Sequence, residues 1–243
     1  MFIDLTNICA IQGLKMLTDG SVDLIVTDPP YKTISGGSGP AKGGHARPGG
    51  MLSKNDGKIF KHNEIKFQEY FSELYRVLKD PAHIYIMTNW LNLRRAMNLL
   101  EEVGFKIHCE LTWKKQNATP SRFYMKNKEH VIFARKGAAF SINNKGSMNC
   151  HEFKNPIGNK RHETEKPVDL LKMYIENSSQ PGDTVLDPFV GSGSTAQACH
   201  ETGRNFIGFE IDPKYYQVCC DRLAIYDPDI MFQRNHSNLN LLS

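Results

Sequence analysis

The stretch Pro181–Thr195, PGDTVLDPFVGSGST, sets a turn, a short apolar run, an acid and a two-glycine loop in one line. Pro181-Gly182 reads as a turn and TVLD as a strand, and the helix that follows opens at Ser194 and Thr195. Gly191 and Gly193 let the backbone approach a ligand closely, while free N–H groups and the helix dipole favour a carboxylate or phosphate. No Gly-Lys-Ser/Thr follows, so this is not a P-loop, and Ala196 is out of register for the third glycine of a dinucleotide fingerprint. A lone glycine loop is often just a tight turn. Glu210 adds weight: it ends the next strand, NFIGFE, about twenty residues on, where an acid accepts bonds from ribose hydroxyls. A ribose-bearing ligand with a small anionic tail fits, and S-adenosylmethionine is such a ligand.

Working outward, apolar periodicity alternates strands with helices. Phe2–Thr6, Val22–Thr27, AHIYIMT, FKIHCELTW, EHVIFAR, TVLD and NFIGFE read as seven strands. Helices are expected near Ile11–Leu17, Phe67–Leu78 with Asp80-Pro81 as its stop, Leu91–Val103 ending at Gly104, Val168–Ile175, Ser194–Thr202, and after the cap Asp212-Pro213. Val22–Thr27 is apolar enough to be buried on both faces. The pattern predicts an α/β, doubly wound, mostly parallel seven-stranded sheet in a single domain, 1–243, with residues 162–226 as its cofactor-binding half. Ligands of such sheets sit beyond the carboxyl ends of the strands, and Asp28, Asn89, Asp187 and Glu210 lie there.

The chain has 243 residues, 40% hydrophobic and 23% charged, as in ordinary globular proteins. No apolar run reaches the roughly 20 residues needed to span a bilayer, and MFIDLTNICAIQG is no secretory leader, so no membrane and a cytoplasmic location are expected. The 6 cysteines form no CxxC pair and read as reduced, mostly buried thiols, with no metal. The net charge of +4 is unevenly spread. Lys32, Lys42, Arg47, Lys54, Lys58 and Lys61 face only Asp56 between 32 and 62, and Lys114, Lys115, Arg122, Lys126 and Lys128 face no acid in WKKQNATPSRFYMKNK. Such clusters suit a polyanion as well as they suit solvated loops, and mark 32–65 and 114–128 as candidate nucleic-acid-recognition loops.

The chain resembles the amino-methyltransferases of DNA, specifically the beta class, in which a DPPY segment precedes the cofactor loop. VDLIVTDPPY, RVLKDPAHIYIMTNW, HETEKPVDLL and PGDTVLDPFVGSGST stand in that family's order and spacing over nearly the whole chain. The resemblance implies a Rossmann-like methyltransferase fold with permuted motif order and S-adenosylmethionine as cofactor. It implies that Asp187, Phe189, Gly191, Ser192 and Gly193 line the cofactor site, with Glu210 on the ribose and Ile211 beside it. Ser194, Thr195, Thr164 and Lys166 would lie near the methionine carboxylate, and Asp28 would border the cofactor as well as the target. Many relatives carry Gly-Asp after the first strand where this chain has Ile8-Cys9, so backbone groups of Cys9 and Ala10 stand in for a carboxylate. Glu163 replaces a usual proline. DNA is the implied partner, and the family admits a homodimer and a cognate restriction endonuclease.

VDLIVTDPPY, Val22–Tyr31, then carries the chemistry. An exocyclic amine on a base is a poor nucleophile, because its lone pair is delocalised into the ring. Two acceptors holding the amine hydrogens favour a pyramidal nitrogen aimed at the methyl group. Asp28 offers one and the Pro29 carbonyl the other. Pro29 and Pro30 hold the residues before them extended and remove N–H donors, and Tyr31 offers a stacking face to a flipped base. Asp in the first position usually accompanies adenine N6 in the family. Cytosine N4 is the runner-up, and a catalytically silent DNA-binding module or a protein-glutamine methyltransferase stands further off.

Overall fold

A computed structural model describes residues 1–30, 65–119, 123–154 and 165–225. The chain divides into Met1–Pro29 with Phe67 onward, and a second unit, Pro30–Lys66, of which only Pro30, Ile65 and Lys66 are described. The first unit runs β1 Ile3–Thr6, α1 Ala10–Met16, β2 Val22–Thr27, α2 Phe67–Val77, β3 Leu78–Thr88, α3 Trp90–Glu102, β4 Lys106–Thr119 and β5 Lys126–Lys136. It continues with β6 Cys150–Glu152, α4 Val168–Ser178, β7 Thr184–Asp187, α5 Ser194–Thr202, β8 Asn205–Phe209 and α6 Pro213–Ala224. The strands form one sheet in the order β1-β8-β7-β2-β3-β5-β4-β6. Every described neighbour pair is parallel except β3–β5 and β5–β4, so β5 alone runs against the rest.

Both faces of the sheet are covered, which is why its central strands are apolar throughout. Leu24 and Val26 of β2 pack in a cluster with Leu170, Leu171 and Tyr174 of α4 and with Ala196 and Cys199 of α5. Their alternates point the other way. On that side α2 buries Phe67, Tyr70, Phe71, Leu74 and Val77, a stripe at helical spacing, and touches both α1 and α3. Each fully buried Leu or Phe is worth about 1.5–3 kcal/mol, so these stripes hold the helices down. Ends follow local chemistry. The Asp212 side chain accepts from Lys214 N at 2.8 Å with Pro213 in the first turn, and Gly104 takes φ 108° just after α3. Gly13 has another use: a Cβ there would lie 2.5 Å from the Phe209 ring, so its absence lets α1 close on β8.

Four sequence expectations are corrected. An eighth strand exists, the three-residue β6, too short and too polar for periodicity to register. Asp80-Pro81 is not the stop of the helix: α2 ends at Val77, β3 begins at Leu78, and the pair lies inside that strand where the register between β2 and β3 shifts. Proline is tolerated at such an irregularity because the ladder there needs no N–H. The basic stretch after Trp113 is not all loop, since Lys114 and Lys115 lie on β4 and Lys126 and Lys128 on β5. Of the six free thiols, Cys199, Cys219 and Cys220 are buried, but Cys9 and Cys109 are only partly so and Cys150 is exposed. The cluster at 32–62, together with Tyr31, Arg122, Glu163 and Thr164, lies outside the described residues.

Candidate active site

The parallel strands deliver their last residues to one edge. In sheet order, Cys9 follows β1, Glu210 follows β8, Asp187 ends β7, Asp28 follows β2 and Asn89 follows β3. Asn89 turns out to be structural: its Oδ1 accepts from Asn92 N at 3.0 Å and caps α3. Asp187 and Glu210 hold the glycine loop, and Asp28 binds Lys166.

Asp187 is the hub. It is buried, and its two oxygens accept from Thr27 Oγ1 at 2.7 Å, Phe189 N at 3.1 Å and Thr195 Oγ1 at 2.7 Å. One carboxylate thus joins β2, the loop and the start of α5. Burial pushes its pKa up to about 6, against the pull of the two threonine hydroxyls and the Phe189 N–H. Glu210 is also buried, with its oxygens taking Gly191 N and Asp212 N at 2.8 Å each. Burial raises its pKa, opposed by those two N–H groups. Asn7 Nδ2 donates to the Glu210 carbonyl at 2.6 Å, tying the ends of β1 and β8. Cys9 is the N-cap residue of α1 without a side-chain bond, and Ala10 starts that helix.

The loop itself has one closed side and one open side. Gly193 has φ 85°, and a Cβ there would collide with the Cys219 sulfur. Gly191 has φ 55°, and a Cβ there would meet no atom within 4 Å. Underneath, buried Arg222 of α6 donates to the Ser192 carbonyl at 3.0 Å and Ser194 Oγ at 2.9 Å, and pairs with Glu165. Phe189 is half-buried, its ring edge-on to Tyr70 at 5.0 Å, and Ile211 is exposed beside Glu210.

Asp28 has two unlike oxygens. Oδ2 is held by the Lys166 ammonium, itself buried. Oδ1 is inaccessible to solvent and has no hydrogen-bond partner among the described residues. Burial drives the Asp28 pKa up, Lys166 pulls it down, and Glu129 pushes it up again. Glu129 of β5 lies 3.4 Å from Lys166 Nζ through Oε2 and binds Lys115 of β4 through Oε1. Burial would raise Glu129, but Lys166 and Lys115 outweigh it and hold the carboxyl below its usual range. The Tyr70 hydroxyl, also buried without a partner, is pushed up by burial and by Asp28. Pro29 is buried and Pro30 opens the second unit.

Asp28, Lys166, Asp187, Phe189, Gly191, Ser192, Gly193, Ser194, Thr195 and Glu210 are thus brought to one region by β2, β7, β8 and the loop. Glu129, Tyr70, Thr27, Arg222 and Glu165 join them and were not singled out as site residues from sequence, while Lys115, expected on a recognition loop, pairs with Glu129. Only Glu129 left a trace there, as the first acid after a long basic stretch. Among the described residues no group of three His, Cys, Asp or Glu side chains could hold a metal ion, and no helix is long and apolar enough to cross a membrane.

A family model described as DNA methylase, for N6 and N4 methyltransferases, matches residues 22–220. The Type II methyltransferase M.HinfI of Haemophilus influenzae is 29% identical over 96% of this chain and 70% of its own length. The Type II methyltransferase M2.DpnII of Streptococcus pneumoniae is 29% identical over 86% of this chain and 85% of its own. Among solved structures, the M1.HpyAVI–SAM complex superposes with a TM-score of 0.67 at 25% identity, covering 91% of this chain and all of that one.

Proposed function

Because the chain belongs to the DNA methylase family of N6 and N4 methyltransferases, we propose that it methylates the N6 amine of adenine in DNA, with S-adenosylmethionine as donor. The observation that carries this reading is Asp28 Oδ1: a buried acceptor without a partner, beside an oxygen already fixed by Lys166. Leaving such an atom unsatisfied costs about 1–3 kcal/mol. A donor arriving from a flipped base recovers that cost at the moment of reaction, and an amine N–H is such a donor.

The residues fit the cofactor. Gly191 leaves open space against the loop, Glu210 presents a carboxylate suited to ribose hydroxyls, and the start of α5 suits an anion. Phe189, Ser192, Gly193, Ser194, Thr195 and Ile211 border that space in this reading, with Asp187 holding the loop in shape and Cys9 and Ala10 at its far side. S-adenosylmethionine supplies an electrophilic methyl on a sulfonium. The protein's part is placement: Asp28 and the Pro29 carbonyl hold the amine hydrogens, so the nitrogen lone pair points away from the ring plane. Orientation and fixed charge do the rest. Exposed Lys126 and Lys128, and the basic segment 32–62, are the DNA contacts of this proposal.

Asp28→Ala should abolish methyl transfer while calorimetry with S-adenosylmethionine shows nearly unchanged affinity. Wild-type turnover in that variant would remove Asp28 from the chemistry. Digested product DNA should contain N6-methyladenine. N4-methylcytosine in its place would move the assignment to the family's other base and leave the acceptor account standing.

A further inference from the structure

Lys115, Glu129, Lys166 and Asp28 form a line of alternating charge that ends at the unpartnered Asp28 oxygen. Its outer member is partly exposed, with 24% of the Lys115 side chain accessible, while Lys166 keeps 8%. Holding an amine hydrogen asks only for Asp28. A buried ammonium sharing one carboxylate alone would satisfy that carboxylate and weaken it as an acceptor. Here the ammonium is divided, since Glu129 faces it from the other side.

We propose that Glu129 is a positioning residue for methyl transfer: by sharing Lys166 with Asp28 it keeps that ammonium from fully satisfying the Asp28 carboxylate, with Oδ1 directed at the amine. This rests on the reading of Asp28 as the amine's acceptor. Among the described residues, groups from several elements enter the balance. Burial raises Asp28, Lys166 ahead of α4 lowers it, Glu129 of β5 raises it and Lys115 of β4 lowers it. Asp187 of β7 and the Tyr70 hydroxyl of α2 feel the Asp28 charge in turn.

Asp28 is the stronger acceptor when ionised, and a proton on Oδ1 would set a donor against the amine hydrogen, so turnover falls as pH falls through its pKa. The test is kcat against pH at saturating DNA and S-adenosylmethionine, in the full chain, for wild type, Glu129→Gln and Lys115→Met. Glu129→Gln keeps an oxygen for Lys166 but removes the charge. It should shift the acid limb to lower pH and cut the plateau kcat about tenfold or more, since a misplacement of about 1 Å can cost on the order of a hundredfold. Cofactor affinity by calorimetry should not move. Lys115→Met, at the accessible end, should shift the limb the opposite way, to higher pH. A purely structural role would lower the melting temperature and leave both limbs in place. Unmoved limbs, limbs shifted in the same direction, or a wild-type plateau in Glu129→Gln would overturn the proposal while Asp28→Ala remained dead. Turnover surviving in Asp28→Ala is the separate result that would overturn the acceptor reading beneath it.

Discussion

Gly191 and Gly193 share a left-handed backbone, yet a methyl group would mean different things at the two positions. At Gly193 it would strike the Cys219 sulfur in the packed layer between the loop and α6. Backbone strain and overpacking together should cost Gly193→Ala about 3 kcal/mol, or roughly 6–12 °C in melting temperature for a chain of this size. At Gly191 only the backbone term applies, about 1 kcal/mol and roughly 2–4 °C. The methyl would instead enter the open side of the loop, so Gly191→Ala should weaken S-adenosylmethionine about tenfold, a loss of about 1.4 kcal/mol. Thermal melts and calorimetry on both variants check this, and equal melting temperatures would contradict it. The loop, Asp187 and Glu210 could be found from sequence because each ends a parallel strand, where chain direction alone fixes the edge. Tyr70 and Arg222 could not, because each reaches the site from the middle or end of a helix far along the chain.

Between β3 and α4 sits a small polar contact in an apolar layer. Ser178 Oγ bonds His83 Nδ1 at 2.9 Å and the Tyr85 hydroxyl at 2.7 Å, and the His83 ring stacks on Phe140 at 3.9 Å. Burial lowers the His83 pKa from 6.5 to about 4, partly opposed by a backbone hydrogen bond at Phe140. Between those values the unfolded chain binds a proton that the folded one refuses. The stability from neutral His83 is therefore full above pH 6.5 and is lost as pH falls toward 4. His83→Phe keeps the stacking and removes the titration, so its melting temperature should drop less than the wild type's between pH 7.5 and pH 5. A parallel drop in both would place the acid sensitivity elsewhere. Elements were read well where apolar spacing was regular, as in α2 and β2. They were misread at β3 and the β4–β5 hairpin, where pairing with a neighbour overrode local signals: Asp80-Pro81 suggests a stop and Lys114-Lys115 a loop.

Across the whole molecule, charge and chain direction decide what would face DNA on the proposed reading. Exposed Lys126 and Lys128 lie at the start of β5, near the same edge as Asp28. If each neutralises one phosphate, replacing both with Gln should lower the slope of log affinity against log salt by about 0.9 per contact, and an unchanged slope would assign the DNA face elsewhere. The α/β class, the parallel majority and the strand-end acids were all visible in the sequence. The single reversed strand was not, because a hairpin and a crossover differ in tertiary pairing rather than in periodicity. Yet that reversal is what brings Glu129 to the working edge, for a strand running backwards begins where its neighbours finish. On the proposed reading, the tuning of Asp28 is thus set from the β4–β5 ribbon, apart from the strands that carry Asp187 and Glu210.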